Sequence, residues 1–297
     1  MAPDEKPLVH VTGPVPDRIA HQLEDAFRLA QSAAGADGVL AVLSTRIDGA
    51  YLDAAGPQLQ VVANYAVGVD NIDLEACRSR GVTVTNTPDV LTRATAELAV
   101  ALMLSLLRRV AEGDRFLRRG SKWGFSLEFM LGQSLEGKQL GIVGPGRIGR
   151  ETARLAQALG AQPVFAGRND SLVELLRSAD IVSLHCPLSP QTRHLIDAAA
   201  LAEMKSGAVL VNTARGPIVD EAALVDALVE GRLAGAALDV YEDEPNVSEE
   251  LLSLENVVLT PHLGSATRDT REAMGMLAVS ALRAILLDGV LPPNVVR

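Results

Sequence analysis

The stretch "LGIVGPGRIGRETARLAQALGAQPVFAGRND", residues 140–170, decides the fold class of this chain. A short apolar strand runs into a glycine-rich turn, an alternating helix follows, and a second strand ends in "FAGRND". Gly144, Gly146 and Gly149 occupy the positions of a G-x-G-x-x-G fingerprint. In that fingerprint the glycines permit a tight turn, close approach of the backbone to a pyrophosphate, and close packing of helix on strand. The combination predicts a dinucleotide site.

The residues after the second strand indicate which dinucleotide is bound. Units of this kind place an acidic residue about 20 positions beyond the glycines, where it accepts hydrogen bonds from the adenosine ribose. Here that place holds Gly167, followed by Arg168 and Asn169. Gly167 leaves room for a 2′-phosphate, and Arg168 offers a fork of donors that suits phosphate oxygens. We predict NADP(H) as the preferred coenzyme and NAD(H) as the alternative; the other interpretation of Arg168 is a solvated surface charge.

Length and composition bound the class of protein. With 297 residues, 48% of them hydrophobic and 3% aromatic, the chain can form two domains of helices packed on strands. A formal charge of −10 argues against nucleic acid as a partner, because phosphate backbones reward clustered Lys and Arg. The two cysteines offer neither a disulfide framework nor the spacing of a metal site.

Nothing in the sequence predicts a membrane protein. The start, "MAPDEKPLVH", lacks the regions of a signal peptide. The longest apolar run, "LAVALMLSLL" at 98–107, is much shorter than the about 20 residues that cross a bilayer. We therefore expect a cytoplasmic protein without a membrane partner.

Strand-like runs occur in two series separated by helical segments, a pattern that is typical of parallel βα units. The first series is 8–12, 39–44, 59–65 and 82–86, and the second is 140–143, 163–166, 180–185, 208–213, 236–240 and 257–260. The second series predicts a doubly wound Rossmann sheet. One helical span from Thr92 to about Arg119 separates the series, and a last helix over 270–289 fits either domain.

Three chemically useful residues follow strands of the second series: Arg215, Glu244 and His262. Since the carboxyl ends of parallel strands line the ligand crevice, these side chains can converge. Hydride transfer to a 2-oxo acid needs a cation for the carboxylate and a proton donor for the alkoxide. Arg215 would be the cation, His262 the acid, and Glu244 the partner that orients His262. Taken singly, each residue also fits a structural role: a strand cap, a solvated acid and a core histidine.

Several ordered motifs extend this interpretation. They are "ANYAVGVDNID" (63–73), "TPDVLTRATAELA" (87–99), "GIVGPGRIG" (141–149), "VNTARGPIVDEAAL" (211–224), "LDVYEDEP" (238–245) and "LTPHLGSAT" (259–267). Together they resemble D-2-hydroxyacid dehydrogenases, over most of the chain from about Val39 onward. Within that family "GR" at 167–168 and "GFSLEFMLGQSLEGKQLGI" (124–142) look most like glyoxylate/hydroxypyruvate reductases.

The resemblance implies an α/β architecture in which the Rossmann domain, residues 92–272, is inserted into a smaller flavodoxin-like substrate domain, residues 1–91 plus 273–297, with a cleft between the two. It implies a homodimer formed through the helix at 98–107 and the arm at 114–125, with Trp123 near an active site or in interface packing. The front departs from the family pattern. Because only residues 13–38 separate the first two predicted strands, one βα unit is expected to be missing.

The resemblance also implies roles for individual residues, including the same assignment for Arg215, Glu244 and His262. The backbone of Val67 and Gly68 would hold the substrate carboxylate, with Arg46 reaching the same pocket or lying on the surface. Asp239 would contact the nicotinamide amide, or else end its strand through a turn. The full set expected to line the coenzyme is Thr95, Gly144, Gly146, Arg147, Ile148, Gly149, Gly167, Arg168, Asn169, His185, Pro187, Thr192, Thr213, Asp239 and Gly264.

The function that these observations favour is an NADPH-dependent reductase of small 2-oxo acids to D-2-hydroxy acids. One alternative is an NAD-dependent dehydrogenase of 3-phosphoglycerate or a bulkier 2-hydroxy acid. The other is a dinucleotide-sensing protein of the corepressor type, which would need no proton donor.

Overall fold

The structure, a computed structural model, describes residues 6–296 and divides into two compact units. The first unit contains the residues up to Leu91 and those from Ser265 onward, and the second contains Thr92–Gly264. The chain therefore leaves the first unit once and returns to it. Each helix in the described range is too short or too polar to traverse a bilayer.

The first unit is a five-stranded parallel sheet with helices on its faces. Its elements are β1 (Leu8–Val11), α1 (Asp17–Ala26), β2 (Arg28–Ala30), β3 (Gly38–Ala41), α2 (Gly49–Ala55), β4 (Val61–Asn64), α3 (Leu74–Ser79), β5 (Thr83–Thr85) and, after the second unit, α11 (Arg268–Leu286). The strand order is β2-β1-β3-β4-β5, which is the flavodoxin-like order. The expectation of a flavodoxin-like sheet is thus met.

The prediction that a whole βα unit is missing at the front is wrong for the strand. Arg28–Ala30 pairs in parallel with Leu8–His10 as the edge strand β2. What replaces the second helix is a short turn over residues 31–37. The sequence pattern did not reveal β2 because an edge strand needs no apolar run, and Leu29 is 42% exposed.

The returning helix α11 completes the first unit. It packs on α1, β3 and β4, and its Met274 and Leu282 side chains are buried. Gly275 allows the closest approach, because a Cβ at this position would lie 2.5 Å from Cγ1 of Ile19 and 2.5 Å from Oη of Tyr65. The Tyr65 hydroxyl donates a hydrogen bond to the carbonyl of Arg271 one turn earlier. The position of α11 is thus fixed by close packing at Gly275 and by the hydrogen bond from Tyr65.

The second unit is a six-stranded parallel sheet in the order β11-β10-β9-β8-β6-β7. Its elements are α4 (Thr92–Leu107), α5 (Val110–Arg118), β6 (Gln139–Val143), α6 (Arg147–Ala158), β7 (Gln162–Ala166), α7 (Leu172–Ser178), β8 (Ile181–Leu184), α8 (Ala198–Glu203), β9 (Val209–Asn212), α9 (Glu221–Val229), β10 (Gly235–Leu238), α10 (Glu249–Ser253) and β11 (Val257–Leu259). All six predicted strands are present. The predicted single helix from Thr92 is instead two, since Arg109 has a left-handed φ of 54° between α4 and α5.

We predict that Gly275→Ala destabilises the protein, although alanine normally favours a helix interior by up to about 1 kcal/mol over glycine. The added methyl group overlaps Ile19 and Tyr65, and overpacking of this kind costs about 1–3 kcal/mol. The matched control is Gly113→Ala in α5, where the nearest atom to a new Cβ, Cε of Met130, is 3.9 Å away. Urea unfolding followed by circular dichroism should give opposite shifts for the two variants. A stabilised Gly275→Ala protein would contradict this description of the contact.

Candidate active site

The strands of the second unit end in one row. The pairing register places Ala166, Val143, Leu184, Asn212, Leu238 and Leu259 side by side, in the order of strands β7, β6, β8, β9, β10 and β11. The residues that follow this row are Gly167, Gly144, His185, Thr213, Asp239 and Thr260. Most of the residues predicted from the sequence to line the coenzyme therefore lie along one edge of one sheet.

The glycine-rich turn after β6 is built as the fingerprint requires. Gly144 has a φ of +88°, and a Cβ there would lie 2.5 Å from the backbone nitrogen of Cys186. A Cβ on Gly149 would meet the carbonyl oxygen of Gly144 at 2.6 Å, so α6 can approach the strand only with glycine at this position. Beside Gly146 there is open space, and within residues 6–296 no side chain caps the N-terminus of α6. The N-terminus of such a helix suits an anionic pyrophosphate.

Two enclosed polar atoms at the ends of the neighbouring strands β8 and β9 have no partner within the described chain. They are Nδ1 of His185 and Oγ1 of Thr213. Nε2 of His185 is 2.9 Å from the hydroxyl of Ser183. Although His185 keeps some exposed surface as a residue, burial of its ring lowers the pKa to about 4, so the imidazole is neutral near pH 7. Unpartnered polar atoms at the carboxyl ends of these neighbouring strands, with His185 directly beside the glycine turn, fit a polar ligand such as a dinucleotide.

The turn after β7 contains the residues that were expected to select the coenzyme. Gly167 donates its amide hydrogen to Oδ2 of Asp170 at 2.7 Å. Arg168 and Asn169 are exposed. Within residues 6–296 the Arg168 guanidinium has neither a hydrogen-bond nor an ion-pair partner. It is therefore available to an external anion.

The loop after β8 is fixed by its own hydrogen bonds. The Thr192 hydroxyl donates to the carbonyl of Pro187 at 2.7 Å and accepts from the Ser189 amide at 2.8 Å. Pro187 itself is exposed. The Thr192 hydroxyl thus shapes the loop, a role that its position in the sequence did not indicate.

Glu244 and His262 are joined at the ends of β10 and β11. Nδ1 of His262 lies 2.8 Å from Oε2 of Glu244, and the Tyr241 amide donates to the other carboxylate oxygen at 3.0 Å. With Nδ1 donating to the carboxylate, Nε2 is left without a partner among residues 6–296. Burial acts to raise the pKa of Glu244. The hydrogen bond and charge of His262, the Tyr241 amide and, as the smallest contribution, the charge of Arg215 together outweigh burial, so the pKa is lowered.

Arg215 is positioned by its backbone. Its carbonyl accepts a hydrogen bond from Nδ2 of Asn212 at 2.9 Å, and its Nη1 donates to the carbonyl of Ala214 at 2.8 Å. Its charge is close enough to lower the pKa of Glu244. Three residues that are distant in sequence thus lie at the same edge of the sheet, where a cation, an imidazole and a carboxylate can act on one small anion.

Asp239 is fully buried and organises the turn that carries His262. Its Oδ1 accepts from the Thr260 hydroxyl at 2.6 Å and from the Leu263 amide at 2.7 Å, and its Oδ2 accepts from the Gly264 amide at 2.8 Å. Burial raises the pKa of this carboxyl, and the three hydrogen bonds offset part of that rise. His262 itself has a left-handed φ of 53°. Because L-residues adopt that conformation only under constraint, the Asp239 contacts explain how it is held.

Thr95 lies against this turn. A Cβ added to Gly264 would be 3.4 Å from Cγ2 of Thr95 and 3.4 Å from Oδ2 of Asp239. Thr95 is 5% exposed. These three residues therefore form one tightly packed corner of the second unit.

The predicted carboxylate-binding loop belongs to the first unit. Nδ2 of Asn86 donates to the carbonyl of Val67 at 2.8 Å, and Nδ2 of Asn64 donates to the carbonyl of Gly68 at 2.7 Å. The amide hydrogens of Val67 and Gly68 have no acceptor in the described chain. The Gly68 N–H shares its peptide plane with the fixed Val67 carbonyl, and the Val67 N–H shares its plane with the Ala66 carbonyl, which accepts from the Thr87 amide at 2.9 Å. These two fixed N–H groups suit a carboxylate. Asn86 is held in turn by Asn294, which donates to its carbonyl at 2.6 Å.

Arg46, the other predicted substrate residue, has a different environment. Its side chain is 85% exposed and its Nε is 3.7 Å from the carboxylate of Asp48. Arg46 therefore lies on the surface of the first unit, which was one of its two expected roles.

Comparison with known proteins identifies relatives along the whole chain. Residues 100–264 match the model of the D-isomer specific 2-hydroxyacid dehydrogenase, NAD binding domain. The glyoxylate reductase of Aeropyrum pernix is 47% identical over 287 residues, covering 91% of this chain and 85% of that protein. The glyoxylate reductase of Pyrococcus furiosus is 42% identical over 324 residues, covering 98% and 96%.

Solved structures are also similar to this chain over nearly its whole length. A crystal structure of a Thermus thermophilus protein has a TM-score of 0.90 and 43% identity, covering 98% of this chain and 100% of that one. The NADPH-dependent glyoxylate/hydroxypyruvate reductase of Sinorhizobium meliloti, in complex with NADP and malonate, has a TM-score of 0.88 and 34% identity, covering 98% and 97%.

We predict a pH-dependent contribution of His185 to stability. The folded pKa of about 4 lies below the ordinary value of 6.5, so between these values the unfolded chain binds the proton and the folded chain does not. Stability is therefore lost as pH falls from about 6.5 towards 4, by up to about 2 kcal/mol at pH 5. His185→Asn should remove this loss, as measured by urea unfolding at pH 7 and pH 5. His21→Asn, at an exposed histidine, is the control, and equal pH dependence of wild type and His185→Asn would contradict the prediction.

Proposed function

The chain belongs to the D-isomer-specific 2-hydroxyacid dehydrogenase family, and on that premise we propose that it reduces small 2-oxo acids such as glyoxylate and hydroxypyruvate to D-2-hydroxy acids with NADPH. The observation that carries the proposal is the hydrogen bond between Glu244 and His262, with Arg215 nearby, on the sheet edge that also bears the open glycine turn. The glyoxylate reductases among its relatives support the substrate class.

In this proposal each residue acts on a defined atom. A reduced nicotinamide, when bound, supplies a hydride to the carbonyl carbon of the substrate. His262 donates the proton from Nε2 to the carbonyl oxygen, while Glu244 holds Nδ1 and stabilises the imidazolium before transfer. Arg215 pairs with the substrate carboxylate and polarises the carbonyl. The reverse sequence makes His262 the base for oxidation of a hydroxy acid.

We assign the two units separate tasks. The second unit holds the dinucleotide, with the first turn of α6 facing the pyrophosphate and Thr213 and His185 offering polar atoms beside it. The first unit contributes the amides of Val67 and Gly68 to the substrate carboxylate. Asn86 supports this role because it fixes the Val67 carbonyl and thereby the direction of the Gly68 N–H. The Thr87 amide does the same for the Val67 N–H, since it donates to the Ala66 carbonyl in the same peptide plane at 2.9 Å.

The coenzyme preference rests on the turn after β7. The absence of an acid at Gly167 and the unpaired guanidinium of Arg168 favour a 2′-phosphate. The NADPH-dependent relative from Sinorhizobium meliloti supports the same choice. A sensor of dinucleotides would not require the proton donor pair of Glu244 and His262, and we therefore favour an enzyme.

We also propose that the protein forms a homodimer through the helix at 98–107 and the arm at 114–125, together with the residues that directly follow the arm. Trp123 stacks on Phe129 at 6.4 Å, and Phe116 meets the same ring edge-on at 5.5 Å, so the segment has an ordered aromatic cluster. Its neighbours are unusually exposed for apolar residues, with Phe125 at 89% and Leu127 at 83%. Exposed apolar side chains that lie this close in sequence favour burial against a partner, and the resemblance of residues 114–125 to the dimerisation arm favours a second copy.

The proposed activity is tested by mixing the purified protein with NADPH and a panel of 2-oxo acids. We expect NADPH consumption with glyoxylate or hydroxypyruvate. His262→Ala should lower kcat by ~100-fold to 10,000-fold through loss of the general acid, with unchanged affinity for NADPH measured by fluorescence. The matched control is His194→Ala, since His194 forms a similar pair with Glu242, at 2.6 Å. Coenzyme binding without turnover across the panel would instead favour a sensor.

The proposed dimer is tested by light scattering. We expect wild type at twice the chain mass of 31.3 kDa. The double variant Phe125→Glu, Leu127→Glu should be a monomer, because two carboxylates cannot be buried unpaired in an apolar interface. Val229→Glu, at a residue of α9 that is 67% exposed, should keep the wild-type mass. A monomeric wild type at micromolar concentration would overturn this assignment.

A further inference from the structure

Dinucleotide-binding folds usually carry an acidic residue at the end of the second strand of the unit, and here that position is Gly167. Asp170, three residues later, supplies a carboxylate close to the same place. Its Oδ2 accepts the Gly167 amide hydrogen at 2.7 Å. A Cβ built on Gly167 would lie 3.3 Å from that same oxygen, and the next nearest atom is Cγ of Pro145 at 3.6 Å. The Asp170 side chain therefore folds back into the space that a side chain at position 167 would enter, beside the glycine-rich turn.

The charge of this carboxylate is not neutralised by the protein. Within residues 6–296 the Asp170 carboxylate has no cationic partner, and it accepts a hydrogen bond from the Gly167 amide. Arg168 is two residues away but forms no ion pair with it. The end of β7 thus presents a carboxylate and a guanidinium that do not pair with each other. The carboxylate repels a nearby phosphate and the guanidinium attracts it.

A purely structural role for Asp170 does not require its charge. The following helix α7 is capped by Ser171, whose hydroxyl accepts from the Glu174 amide. The turn itself is already closed by a backbone hydrogen bond from the Asp170 amide to the Gly167 carbonyl, at 3.3 Å. An asparagine could accept the Gly167 amide hydrogen equally well. What asparagine could not supply is a negative charge.

We propose that Asp170 is a specificity-determining residue for the coenzyme, in opposition to Arg168. Its carboxylate accepts hydrogen bonds from the ribose hydroxyls of NADH and repels the 2′-phosphate of NADPH, while Arg168 attracts that phosphate. The preference for NADPH is therefore partial, and it is limited by an acid that lies three residues beyond the usual position. This inference rests on the proposed function.

The test is Asp170→Asn, which keeps the acceptor and removes the charge. We expect the ratio of kcat/KM for NADPH to that for NADH to rise by roughly threefold to tenfold, the size expected for one exposed charge beside a phosphate. The change should lie mainly in KM for the coenzyme and should shrink at 1 M salt, because exposed charges are screened. Arg168→Gln should move the ratio in the opposite direction.

Equilibrium binding gives a second readout that needs no turnover. Calorimetry with adenosine 2′,5′-bisphosphate and with adenosine 5′-monophosphate should show tighter binding of the bisphosphate to Asp170→Asn than to wild type. The control for net charge is Asp226→Asn, an exposed acid on α9, which lies between β9 and β10 and away from the β7 edge.

Two outcomes overturn the inference. Suppose that wild type reduces 2-oxo acids but Asp170→Asn changes neither the ratio of kcat/KM for NADPH to that for NADH nor the affinity for the bisphosphate relative to the monophosphate. Asp170 is then a turn residue and the proposed function stands. If wild type binds neither adenosine probe, the proposed function fails and the inference fails with it.

Discussion

The parallel register of the six-stranded sheet is the constraint on which the candidate site depends. Each strand is hydrogen-bonded so that its last residue lies beside the last residue of its neighbour, from Ala166 at one edge to Leu259 at the other. Because side chains alternate between the faces of a sheet, a slip of one residue would reverse the orientation of every group on the shifted strand. The buried strands prevent such a slip. Residues separated by long stretches of sequence are therefore brought to the carboxyl ends of the strands by the strand pairing itself.

Asp239 shows how that edge is converted into a chemical site. A buried carboxylate is costly unless its lone pairs are satisfied, and here three donors from the segment 260–264 satisfy them. The same bonds impose a turn in which His262 has a left-handed backbone. The imidazole is then oriented towards Glu244 by the backbone as well as by its own hydrogen bond. Precise placement of the candidate proton donor therefore depends on a residue whose hydrogen bonds go to the turn that carries the imidazole.

Much of the fold could be predicted from the sequence because it depends on local patterns. Apolar runs identified the buried strands, and the glycine spacing identified the turn before α6, where Gly144 and Gly149 have no room for a side chain. The order of strand ends was also enough to expect Glu244 near His262. The exposed strand β2 was missed because nothing in the residues 28–30 forms an apolar run. The break at Arg109 was missed because a single left-handed residue leaves no periodic signal.

Contacts that depend on the conformation of a turn could not be predicted from the sequence. Asp170 reaches Gly167 only because the intervening turn folds back, and the residue types alone do not specify that conformation. The same holds for Asn64 and Asn86, whose side-chain amides fix the carbonyls of Val67 and Gly68. Sequence motifs marked the loop, whereas its direction is set by polar side chains that no periodic pattern identifies.

The return of the chain to its first unit has a consequence for biosynthesis. The sheet β2-β1-β3-β4-β5 leaves the ribosome early, but its covering helix α11 and Asn294, which supports Asn86, are made only after all of Thr92–Gly264. The second unit is contiguous, so it can complete its own core while the first sheet still lacks a cover. Newly made chains therefore pass through a stage in which the sheet that is made before the second unit still awaits its last helix, and its uncovered apolar face is then open to aggregation.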